Sequence, residues 1–114
     1  MSIPDIKHSP PYYAVIFSSR LNQDAGQDYQ QMAQKMEALA STQDGYLAME
    51  SVRQPDGRGI TVSYWKDSES IQVWKQNLDH LMAQEMGREQ WYQQYSVSVS
   101  RVERQYGFQQ SNEI

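Results

Sequence analysis

Residues 60–92 read ITVSYWKDSESIQVWKQNLDHLMAQEMGREQWY. The first six are β-branched, aromatic or small, which predicts a strand. Asp67 or Ser68 then caps a helical region in which Ile71, Trp74, Leu78 and Leu81 recur on one face. Asn77-Leu78-Asp79 interrupts that pattern with a residue suited to ending a helix and another suited to starting one, so a break is expected there, with helix resuming to about Arg88. Trp91 leads into a last strand placed at Tyr95 to Tyr106. Val97 and Val99 alternate with Ser96, Ser98 and Ser100, and Val102 falls out of phase, which hints at a bulge. All three tryptophans and one of the two histidines, His80, lie in this part of the chain.

Working back from this segment, Tyr46 to Arg53 and Gly59 to Trp65 flank Gln54-Pro55-Asp56-Gly57-Arg58. Its Pro-Asp-Gly centre supplies a fixed φ, a side-chain cap and tolerance of positive φ, and predicts a hairpin. Before it, Asp24 and Gln27 resemble a capping box, and Tyr29, Met32, Met36 and Leu39 repeat at helical spacing to about Ala40. Tyr12 to Ser19 is a further strand, with Tyr13, Val15 and Phe17 on one face and Tyr12, Ala14 and Ile16 on the other. Apolar groups on both faces imply burial on both. The order is therefore β-α-β-β-α-β, an α+β, ferredoxin-like subunit with a four-stranded antiparallel sheet and helices on one face. The other face, still partly apolar, then needs a cover, and a second copy of the chain would supply it. The domain is placed at residues 12–108, with a proline-flanked arm at 1–11 and a polar tail at 109–114.

The 114 residues suit one domain, and with 39% hydrophobic and 21% charged residues the chain is globular but on the polar side. A net charge of −4 with interleaved signs argues against a nucleic-acid surface. No apolar run is long enough to span a membrane, and the first residues lack the pattern of a secretory signal, so a cytoplasmic location is expected. The absence of cysteine excludes disulfides, thiolate metal sites and cysteine nucleophiles. No phosphate-binding glycine loop, nucleophile elbow or pair of histidines at metal-ligand spacing occurs.

The candidate functional residues each have a plainer reading beside them. Trp65, Trp74 and Trp91 suit a core or subunit contact, or the wall of a pocket for a flat aromatic ligand, with Tyr64 beside them. His80 is the one plausible imidazole acid–base group; on a continuous helix it would be solvated, and on a broken one it could turn inward. Asn77, Gln84 and Arg88 form either a solvated shoulder or polar groups orienting a substrate. Glu50 and Arg53 fall on opposite faces of their strand, the plainer reading being a salt bridge to Arg101, Glu103 or Arg104.

Residues 59–92, preceded by GYLAMES at 45–51 and followed by RVERQY at 101–106, resemble the antibiotic biosynthesis monooxygenase superfamily. The resemblance covers roughly Pro11 to Phe108 and implies the dimeric α/β-barrel fold, in which two subunits join their sheets and each keeps a pocket between sheet and helices. It implies a homodimer binding a small aromatic ligand, with no cofactor and no metal. The implied activity is oxidation of a quinol- or anthrone-like phenolic compound by O2. On that resemblance Trp74 stacks on the substrate, His80 is the base, and Asn77 and Arg88 polarise oxygens; Trp65, Tyr64 and Trp91 complete the wall. The superfamily also includes haem-degrading monooxygenases that place an iron-ligating histidine about ten residues after the tryptophan of Ile71-x-x-Trp74. Here that position is Gln84, which disfavours haem. A non-catalytic ligand-binding or stress-response protein of the same fold is the alternative.

Overall fold

The computed structural model describes residues 3–23, 26–84 and 91–110. The elements are β1 (Tyr12–Leu21), α1 (Gly26–Ser41), β2 (Tyr46–Arg53), β3 (Arg58–Trp65), α2 (Ser68–Gln84) and β4 (Tyr92–Val102). They form one antiparallel sheet in the order β2-β3-β1-β4, the expected ferredoxin-like arrangement. The helix caps and turns follow from local chemistry. Asp67 Oδ1 accepts the Ser70 N–H at 2.8 Å and the Ser70 hydroxyl at 2.6 Å, capping α2. Gly57, at φ 97°, closes the hairpin by donating to Gln54 O at 3.0 Å, and Asp56 Oδ1 accepts the Arg58 N–H.

Three expectations need correction. α2 runs unbroken from Ser68 to Gln84, so Asn77-Leu78-Asp79 does not divide it. Asn77 is exposed and donates to Gln43 Oε1 at 3.1 Å, and Asp79 pairs with Lys75 one turn earlier; both side chains are satisfied without ending the helix. The last strand starts at Tyr92 and ends at Val102. Val102 stands opposite Tyr12 without a bulge, on the other face from Val97 and Val99; the register shift of this pair lies at Arg20/Leu21. Asp24, Met86 and Arg88 fall outside the described residues.

Strand register assigns the faces. Tyr13, Val15, Phe17 and Ser19 of β1 stand opposite Trp65, Ser63, Thr61 and Gly59 of β3, and opposite Arg101, Val99, Val97 and Tyr95 of β4. This is the helix face. Burial there divides into two clusters. Val15, Ala40, Trp65 and Ile71 form one, with Tyr13, Tyr46, Met49 and Trp74 against it. Tyr29, Met32, Trp91 and Tyr92 form the other, with Phe17, Leu21, Leu78 and Leu81 against it. The opposite face carries Tyr12, Ala14, Ile16, Val62, Glu50 and Val52 beside the serines of β4. Tyr12 and Ala14 are buried there, and Tyr12 meets His8 of the arm edge-on and hydrogen-bonds Gln105 beyond β4.

Candidate functional site

α1 packs on β2 and α2, and α2 packs on β3, while Tyr29 and Met32 of α1 reach Tyr92 at the start of β4. Beyond Tyr92 the helix-side residues of β4 are open: Tyr95, Val97 and Val99 are 39–55% exposed although they lie on the face where the core is. Tyr95 stacks on Phe17 with centroids 5.5 Å apart, and Tyr92 meets both edge-on, giving this floor an aromatic end. The result is an apolar shelf beside the helix layer.

Trp74 stands where α2 meets this face. Its ring lies 4.9 Å from that of Trp65, tilted by 31°. Its indole N–H is buried and has no hydrogen-bond partner. An orphaned buried donor costs about 1–3 kcal/mol, so a ligand oxygen placed there would recover that cost. Trp65 is wholly enclosed, donates to Ser63 Oγ at 2.9 Å and meets Tyr46 edge-on; it is the support behind Trp74, with no surface left for a ligand. Trp91 is likewise core, at 4% exposure among Tyr29, Met32 and Tyr92.

Among the described residues, the other expected site residues do not converge on one site. Tyr64 is on the helix-free face, opposite Ala14 and hydrogen-bonded to Glu50 Oε2 at 2.9 Å. Burial foremost, then the Glu50 hydrogen bond and charge, push its phenol up to about 12. His80 is exposed because the helix is continuous: at ~100° per residue it falls roughly 140° from the centre of the Ile71–Leu81 stripe. Asn77 is exposed beside it. The expected pairing of Glu50 or Arg53 with β4 also fails, since β2 and β4 are opposite edges of the sheet. Arg53 instead lies on the helix face, bonded to Gly57 O, Ser19 Oγ and the Tyr29 hydroxyl. The sequence reading missed this group, although the hairpin turn itself sets Arg53 opposite Gly59.

Of the two histidines, His80 is exposed on α2 and His8 lies in the arm, edge-on to Tyr12. No group of three or more metal-binding side chains occurs among the described residues.

With this geometry in view, the family model described as antibiotic biosynthesis monooxygenase matches residues 12–86, more than half of the chain. The chain belongs to that family. It is 50% identical over 103 residues to the uncharacterized protein YqjZ of Bacillus subtilis, covering 90% of this chain and 89% of the relative. It is also 29% identical over 93 residues to the jasmonate monooxygenase ABM of Pyricularia oryzae; the match covers 79% of this chain and 43% of that longer relative. Among solved structures, PA3566 from Pseudomonas aeruginosa superposes with a TM-score of 0.65 at 15% identity, over 87% of this chain and 99% of that one. SnoaB, a cofactor-independent oxygenase from Streptomyces nogalater, gives a TM-score of 0.65 at 9% identity over 90% and 98% of the two chains. At such identities these two likenesses establish the fold alone.

Proposed function

We propose that the chain is a cofactor-independent monooxygenase that oxidises a small, flat phenolic or anthrone-like compound with O2, and that it works as a homodimer. The observation that carries the reading is the buried, unpartnered indole N–H of Trp74, on the face of the sheet that also carries exposed apolar residues of β4. A flat aromatic substrate with its oxygen on the Trp74 N–H would bury exposed apolar surface on this face, of which Val99, one pair of residues along from the Trp65 row, is the nearest on β4. Family membership and the fold shared with a cofactor-independent oxygenase support it.

The chemistry follows from donors rather than from a base. A substrate methylene flanked by two aromatic rings and conjugated through them to a carbonyl loses a proton to solvent, and the delocalised anion is held by the Trp74 N–H. The anion passes one electron to O2, the two radicals combine at carbon, and loss of water leaves a new carbonyl: one CH2 and one O2 become one C=O and one H2O. His80, exposed on α2, has no part in this proposal. The homodimer rests on Val52 and Ile60, which are 73% and 51% exposed on the helix-free face.

Oxygen uptake with anthrone tests the reading. Trp74→Phe keeps an aromatic ring and removes the N–H, and turnover should fall about tenfold or more, equivalent to roughly 1.4 kcal/mol of transition-state stabilisation. His80→Ala should stay within about twofold of the parent chain, because it lies off the shelf. Saturable anthrone binding with no oxygen consumption would assign the chain to ligand binding instead and overturn the enzymatic reading.

A further inference from the structure

A second polar centre lies on the helix face roughly 20 Å along β1 from the Trp65 row. Ser19, Gly59 and Arg53 share one row of the sheet here. The absence of a side chain at Gly59 is what lets Arg53 lie flat: a Cβ there would sit 2.7 Å from the guanidinium carbon. Arg53 Nη1 donates to Gly57 O at 2.5 Å, and Nη2 donates to Ser19 Oγ at 2.9 Å and to the Tyr29 hydroxyl at 3.2 Å. The same guanidinium stands 5.2 Å from the Tyr29 ring centroid. Every one of these partners is neutral. Among the described residues no carboxylate faces Arg53 within ion-pair distance, and a half-buried cation held only by neutral groups is a poised anion receptor.

The donors are incompletely used. Guanidinium has five N–H groups, of which three are engaged, leaving Nε–H and one Nη1–H. The Tyr29 oxygen accepts from both Arg53 and Tyr92, the latter at 3.3 Å, which fills both lone pairs and leaves its own proton to donate. Arg53 and Tyr29 both line a groove of about 630 Å³ between α1 and the β2–β3 hairpin. Leu21, Ala33 and Pro55 give it apolar surface, and Gln30 stands on its α1 side. Asp56 is also on the wall, with one carboxylate oxygen taken by the Arg58 N–H. That negative charge, set against one guanidinium, disfavours a dianion.

We infer that the Arg53–Tyr29 groove is a binding site for a small organic carboxylate, distinct from the Trp74 N–H and independent of the reaction proposed there. The carboxylate would take the free Arg53 and Tyr29 donors, and its apolar body would lie on Leu21, Ala33 and Pro55.

Sodium benzoate is the probe, titrated into the intact protein by calorimetry at constant ionic strength, with benzyl alcohol and inorganic phosphate as comparators. Saturable benzoate binding, weakened about tenfold or more by Arg53→Gln, is expected. Because Arg53 also holds the hairpin, exposed Gln30 provides a second handle that leaves the fold alone. Gln30→Glu should weaken benzoate binding about threefold and Gln30→Lys should strengthen it similarly. The assignment is overturned if benzoate shows no saturable binding, or if none of these three variants alters it. It is equally overturned if benzyl alcohol or phosphate binds as tightly as benzoate.

Discussion

Single atoms decide much of this fold. Gly45 has φ 84°, and a Cβ there would approach Ser70 Oγ to 2.1 Å, at the first turn of α2. Gly45→Ala therefore meets strain and collision together, and should lower stability by about 2 kcal/mol or more in urea unfolding. Asp67→Ala removes the cap of the same helix and should cost about 1 kcal/mol. Burial of Tyr12 and Val15, and a cap at Asp67 or Ser68, are legible because they follow from local pattern, whereas Trp65, expected on the wall of a pocket, is wholly core. The orphaned Trp74 N–H and the neutral surroundings of Arg53 are not legible, since each depends on what is missing nearby in space.

Element boundaries show where pattern reading weakens. The hairpin strands and α1 were placed almost as they stand, because Pro-Asp-Gly and a regular apolar repeat leave few alternatives. α2 was expected to break at Asn77-Leu78-Asp79, but two cap-forming residues in mid-helix found partners in Gln43 and Lys75 instead. That one difference moves His80 from a candidate base to an exposed shoulder. A Gly substitution at Asn77 would lower helix propensity by only a few tenths of a kcal/mol, and circular dichroism should show α2 intact.

The subunit as a whole is a slab, 46 × 37 × 21 Å, with a Cα radius of gyration of 15.4 Å against about 13 Å for a compact chain of this length. The proposed homodimer predicts that sedimentation finds a dimer at micromolar concentration and that Val52→Asp with Ile60→Asp shifts it towards monomer. The slab also has an alkaline limit. The phenols of Tyr64 and Tyr92 are both raised, Tyr64 to about 12, chiefly by burial, so ionisation is harder in the folded chain than in the unfolded one, where the value is 10.0. Their contribution is complete below about pH 10 and is lost as pH climbs through the folded values. The urea midpoint should hold steady to that pH and then fall, and Tyr64→Phe should soften the descent.

The tip of the β2–β3 hairpin has one further bearing. Gly57 O receives the Leu21 N–H at 3.0 Å as well as the Arg53 guanidinium, so this turn is stitched to the end of the first strand. Hairpin tips are the customary place to splice in an epitope or reporter, but here the graft would loosen contacts to both the first and the second strand at once.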